Sequence, residues 1–156
     1  MKKLFLILSK GFLLVIGLCL LSSVLFAQQC KVKPIVKTCM PSLEPYQYDA
    51  YAVKEIVFGV KSKKESIEFS VYSGEDYKLV FGKTELPLEV GITIYDGNPI
   101  KKDSKIVYMD ESGKKDKYVC NFHPTKTGSY YIQYEIPAST APNQKGCVVV
   151  LIGIKE

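Results

Sequence analysis

The sequence predicts an all-β fold, an antiparallel sandwich of about eight strands behind an N-terminal signal helix. Three observations predict it. Beyond residue 50, apolar residues recur with a period of two, the spacing of half-buried strands. Clusters of Gly, Pro, Asn, Asp and Ser interrupt that alternation at short intervals. After residue 27, no stretch reads as an amphipathic helix.

The elements follow in order. Met1-Lys2-Lys3 opens a positive segment, an apolar run fills residues 12–26, and the small residue Ala27 precedes Gln28-Gln29. This is the pattern of a cleaved export signal over residues 1–27. The run is short for a bilayer span, and extending it back to Leu4 would bury Lys10. Retention as an uncleaved anchor is the alternative. Acylation of Cys30 would require a small residue before it, where Gln29 stands. Residues 28–47 read as an extended, disulfide-containing lead-in, because Pro34, Pro41 and Pro45 favour extended or turning backbone.

Residues 48–156 form the sandwich. Residues 53–58 are a first strand. In 66–72, Ile67, Phe69 and Val71 face one way, and Ser66, Glu68, Ser70 and Tyr72 the other. Tyr77, Leu79 and Phe81 open the next strand. Val90, Ile92 and Ile94 point inward, with Gly91, Thr93 and Tyr95 outward. Asp96-Gly97-Asn98-Pro99 turns the chain, and 105–109 is a strand of undefined facing. Tyr118, Cys120 and Phe122 share a face. Tyr130, Ile132, Tyr134 and Ile136 alternate with Tyr131, Gln133 and Glu135. Residues 147–154 are almost continuously apolar, which places them in a central strand covered on both faces and reaching nearly to Glu156.

Composition narrows the function classes. All 21 basic side chains are lysine, and the net charge of +5 falls close to neutral once Lys2, Lys3 and Lys10 leave with the signal. Without arginine the chain lacks the guanidinium fork that dominates phosphate and guanine recognition, so nucleic acid is excluded as a partner. Membrane contact is expected only through the signal segment before cleavage. The lysines around Lys101 and Lys114 alternate with acids, so they read as solvated loop tips and guarded strand edges.

Cys19 leaves with the signal, and Cys30, Cys39, Cys120 and Cys147 remain. Four cysteines in an exported chain imply two disulfides with three connectivities. The shorter loops favour Cys30–Cys39 with Cys120–Cys147. Zinc requires closer spacing or more imidazoles than the single His123.

Catalytic constellations are missing. His123 sits beside Pro124 at a strand end, and no nucleophile elbow, phosphate loop, dinucleotide fingerprint or zinc-protease helix appears. No cofactor is expected. Asp96, Asp103 and Asp110, with Glu111 and Asp116, fall in neighbouring loops. They are the weak calcium candidates, and Asp96 or Asp110 would serve a remote alternative, a small carboxylate-dependent hydrolase. The stronger candidates are Tyr72, Tyr95 and Tyr131, which fall on the outward side of their strands and suit stacking on sugars or anchoring a protein.

Two segments carry resemblances. Residues 124–132 (PTKTGSYYI) resemble the late-strand "TG-x-Y-Y" segment of extracellular immunoglobulin-like sandwiches, where a tyrosine hydroxyl can bond back to nearby backbone. Ile132 stands where a variable immunoglobulin domain carries cysteine, and the chain has no tryptophan. The order of 66–72, 90–96 and 122–131 resembles the bacterial pre-peptidase C-terminal type of jelly-roll domain. That resemblance implies a non-catalytic module of an exported protein. The sequence thus points to an exported binding module, periplasmic, outer-surface or secreted, for a protein partner or cell-surface glycan. A structural subunit of an envelope or surface assembly is the alternative.

Overall fold

A computed structural model describes residues 30–84, 86–109 and 117–155. The expected export signal at 1–27, and Asp110, Glu111 and Asp116, lie outside the described residues. Helix α1 (Val32–Cys39) and a 3-10 turn (Met40–Leu43) precede eight strands. These are β1 (Gln47–Val57), β2 (Lys63–Val71), β3 (Tyr77–Thr84), β4 (Gly91–Tyr95), β5 (Ile106–Met109), β6 (Lys117–Phe122), β7 (Gly128–Ile136) and β8 (Lys145–Ile154). They form two four-stranded antiparallel sheets, ordered β1-β8-β3-β6 and β2-β7-β4-β5. Apart from the β4–β5 hairpin, every successive strand crosses to the other sheet, which makes the sandwich a jelly roll.

The alternation read from the sequence sets the inner faces. Ile67 opposes Ile132, and Ile132 opposes Ile94, so one row of the second sheet is built from side chains pointing inward. Val71, Tyr77, Leu79, Phe81, Val90, Ile92, Tyr130, Tyr134, Val148 and Val150 join this core. At one end Phe69 and Tyr130 of the second sheet meet Tyr77 and Phe122 of the first; Tyr77 stacks on Phe122 at 5.5 Å, and Phe69 meets it edge-on at 6.1 Å. Tyr77 also makes the tyrosine-to-backbone bond that the immunoglobulin-like resemblance placed at residues 130–131. Its hydroxyl accepts the Tyr72 N–H at 3.0 Å.

The lead-in is helical where the prolines suggested extended chain. Val32, Ile35, Val36 and Cys39 repeat at helical spacing and turn toward the first sheet. Pro34 is tolerated because it lies in the first turn, where the backbone N–H has no intrahelical acceptor in any case. Ile35, Cys39 and Leu43 pack on Val80, Val149 and Leu151, the outer face of β3 and β8. This explains the continuous apolar run of β8, with one face against the other sheet and one beneath α1. The approach is close at Gly82, where any Cβ would collide with Ile35 and Cys39.

The disulfide pairing differs from the shorter-loop expectation. Cys30 bonds Cys147, with a Cα–Cα distance of 5.8 Å across 117 residues of chain. Cys30 and Cys39 lie at opposite ends of α1, and a rise of about 1.5 Å per residue separates them well beyond the ~7 Å limit of a disulfide. Cys120 shares the inner face with Leu79, whereas Cys147 shares the outer face with Val149. Cys39 and Cys120 are both buried and outside the bridge. Burial pushes the Cys120 thiol up to about 12, which makes it inert. A cystine is the form that oxidising, extracytoplasmic compartments sustain. Among the described residues no helix is long and apolar enough to cross a membrane.

Candidate binding site

The outer face of the second sheet carries the outward tyrosines. Register aligns Glu68 on β2, Tyr131 on β7 and Tyr95 on β4 in one cross-strand row. Tyr131 and Tyr95 are half-buried. The Tyr131 hydroxyl donates to Glu68 Oε2 at 2.9 Å, and the Ser129 hydroxyl donates to Glu68 Oε1 at 2.5 Å. Those two bonds, Ser129 first, hold the Glu68 carboxyl below its ordinary value; the same carboxylate raises the Tyr131 phenol. The ring of Tyr131 is thereby fixed in orientation on a rigid strand.

Beyond the row, the chain leaving β4 folds into a tight loop. Asp96 clamps its two ends: its N–H donates to the Lys105 carbonyl at 3.0 Å, and its Oδ1 accepts the Lys105 N–H at 2.6 Å. Asn98 Oδ1 accepts the Ile100 N–H at 3.0 Å, and the Ser104 hydroxyl donates to the Asn98 carbonyl at 2.5 Å. Across from this loop, Lys126 reaches Asp96 Oδ2 at 3.3 Å. The Lys105 N–H first, and then Lys126, keep the Asp96 carboxyl below its ordinary value. Loop and strand together enclose an open cavity of about 400 Å³, lined by Asp96, Asn98, Lys101, Lys126, Ser129 and Tyr131, with Asp103 also on its wall.

The structure thus joins Tyr131, Asp96 and Asp103 at one cavity and sets Tyr95 in the row beside it. Tyr72 stands apart, just past the end of β2 and 64% exposed. Asp96 uses both oxygens within the protein, and Lys101 and Lys126 share the cavity with the two carboxylates. That arrangement disfavours calcium, and among the described residues no three potential ligands gather to hold a metal. A carboxyl held ionised is also a poor proton donor, which weighs against Asp96 as a general acid. His123 is exposed, its Nδ1 2.9 Å from Asp76 Oδ1, away from the cavity. Sequence parity found the tyrosines. Glu68, Ser129 and Lys126 were not singled out because their roles depend on strand register, although Glu68 already shared the outward parity of Tyr72.

Fold and site together define a helix-backed jelly roll with an open polar cavity at one end of its second sheet. No family model matches the chain, and no curated protein sequence matches it. Solved structures similar to it include the pre-peptidase C-terminal domain of a collagenase from Bacillus anthracis, 13% identical, covering 69% of this chain and 90% of that one, with a TM-score of 0.45. That domain is of the type whose strand order the sequence resembles. PliG, a periplasmic inhibitor of g-type lysozyme, is similar in two versions. The Aeromonas hydrophila protein is 8% identical, covering 69% of this chain and 87% of that one, with a TM-score of 0.42. The Salmonella Typhimurium protein is 18% identical, covering 70% and 94%, with a TM-score of 0.35. At these identities the likeness is one of architecture.

Proposed function

We propose that this chain is an exported, non-catalytic binding module that takes a cell-surface glycan in the cavity beside Tyr131, in the periplasm or at the outer surface. One observation carries the reading: a strand-mounted tyrosine, fixed by Glu68, borders a cavity of about 400 Å³ ringed by amide, hydroxyl, carboxylate and ammonium groups. An aromatic ring supplies a face for the apolar side of a sugar, and the surrounding donors and acceptors match its hydroxyls. The test is calorimetric titration of the exported protein with cell-wall saccharides. Tyr131→Ala is expected to weaken binding by about tenfold, equivalent to about 1.4 kcal/mol, and Lys126→Ala to weaken it less. Tyr72→Ala should leave affinity unchanged. Saccharide binding unaffected by Tyr131→Ala and Tyr95→Ala together would remove the assignment.

A second reading, a protein partner, is favoured by the 64% exposure of Tyr72 at the rim of the same face. It predicts the opposite pattern: capture of an envelope protein that depends on Tyr72 and tolerates Tyr131→Ala. A structural subunit would co-purify with its assembly and behave as a fragment of it on size exclusion.

A further inference from the structure

The opposite side of the molecule carries a second surface, independent of the cavity. Helix α1 covers β3 and β8 but leaves β1 uncovered beside it. The helix runs antiparallel to β1: at one end Cys30 is bonded to Cys147, the partner of Glu55, and at the other Leu43 lies over Gly153, the partner of Tyr48. Tyr48, Tyr51 and Val53 pair with Gly153, Leu151 and Val149, so they share the face on which α1 sits. They are 45%, 50% and 38% exposed. A cavity of about 520 Å³ opens between the end of α1 and β1, lined by Lys37, Met40, Pro41, Tyr46 and Tyr48. One turn back from Lys37, at the i−4 position, Lys33 continues the same exposed stripe, and Lys31 precedes the helix. The helix contains no acid. On the sheet, Glu55 is met by Lys145 at 2.8 Å, and Lys78 stands 5.1 Å above the Tyr46 ring. Among the described residues, Glu44, which also lines this cavity, and Asp49, at the start of β1, oppose the lysines.

We propose that this face, the Lys33–Lys37 stripe of α1 with Tyr48, Tyr51 and Val53 of β1, docks on an anionic phospholipid surface. Charge and chain path choose the occupant. Two-fold pairing about an axis through the α1 stripe would bring Lys33 and Lys37 against their counterparts, whereas anionic headgroups neutralise them. Tyrosine is the side chain that settles at the headgroup level, its ring toward the acyl boundary and its hydroxyl wet. The apolar segment 12–26 joins the domain at Cys30, on this same face, so until cleavage it tethers this face beside the bilayer. The cavity at Tyr131 lies on the outer face of the other sheet, where it stays open when this face is docked.

The experiment is co-sedimentation of the exported protein with vesicles of equal parts phosphatidylglycerol and phosphatidylcholine, against phosphatidylcholine alone. Binding is expected only to the anionic vesicles and is expected to disappear in high sodium chloride. Lys33→Glu with Lys37→Glu should weaken it by about tenfold or more. Tyr48→Ser with Tyr51→Ser should weaken it several-fold. Lys64→Glu with Lys102→Glu, on β2 and in the β4–β5 loop and outside the lining of the Tyr131 cavity, is the matched charge control and should bind more tightly than the α1 variant. Equal binding by the α1 and control variants, or binding to neither vesicle, overturns the proposal. So does a dimer on size exclusion that the Tyr48 and Tyr51 changes abolish, or salt-sensitive capture of an acidic envelope protein without vesicle binding.

Discussion

Tyr134 shows how far a single group can depart from its surroundings. Its ring fills the inter-sheet core at 0% exposure, yet its hydroxyl is buried without a hydrogen-bond partner. Burial pushes its phenol strongly up, so the group stays neutral. An unmet buried hydroxyl costs about 1–3 kcal/mol, so Tyr134→Phe, which keeps the ring and deletes the oxygen, should stabilise the fold by about 1 kcal/mol. Denaturant melts will check this, and a loss of stability would reveal a partner for the oxygen. Gly82 makes the opposite case. A Cβ there would occupy the space of Ile35 and Cys39. Gly82→Ala should therefore destabilise by about 1–3 kcal/mol through overpacking. The shift should shrink when Ile35→Ala is combined with it, because the two residues share one contact.

At the scale of elements, α1 is the part that sequence reading missed, and the reason is physical. Its apolar stripe is only Val32, Ile35, Val36 and Cys39, and two nearby prolines point to extended chain unless their place in the first turn is known. What α1 covers was legible: 147–154 is apolar on both parities because one face meets the other sheet and one meets the helix. The strands were legible for the same reason that they fold, since Ile67, Ile132 and Ile94 alternate with side chains that must remain wet. Disulfide pairing was not legible, because loop length says nothing about which faces Cys120 and Cys147 occupy. The Cys30–Cys147 bond fastens the helix to β8. Replacing both by serine should cost about 2–5 kcal/mol and loosen α1 before the sheets, which amide exchange at Ile35 and Val36 would register first. Thiol titration of the denatured, unreduced exported protein should find Cys120, which lies outside the bridge. Finding none would restore a two-disulfide arrangement.

Across the whole molecule, the two sheets are joined at one side by an ion pair beside the side-chain packing of Ile56 and Ile67. Lys54 on β1 and Glu65 on β2 occupy inward-facing positions, opposite Val148 and Tyr134, and meet at 2.5 Å; Lys63 joins the same carboxylate at 2.6 Å. An inward lysine on an edge strand opposes the addition of another strand there, so β1 is guarded against edge pairing although it is long and uncovered. The contact also sets a pH dependence. Hydrogen bonds from Lys54, then Lys63, hold the Glu65 carboxyl below its ordinary value of 4.5. The folded carboxyl releases its proton more readily than the unfolded one, so in the window just below pH 4.5 the unfolded chain binds more protons. The stabilisation is therefore complete above that value and is lost as pH falls through the lowered folded-state value. Glu68 and Asp96, held down by their own partners, add to the same acid loss. Thermal melts between pH 7 and pH 3 should show a falling midpoint, with a shallower fall for Glu65→Gln, which has no proton to gain. A Glu65→Gln curve parallel to that of the unaltered protein throughout would mean that the bridge between the sheets contributes nothing to acid lability.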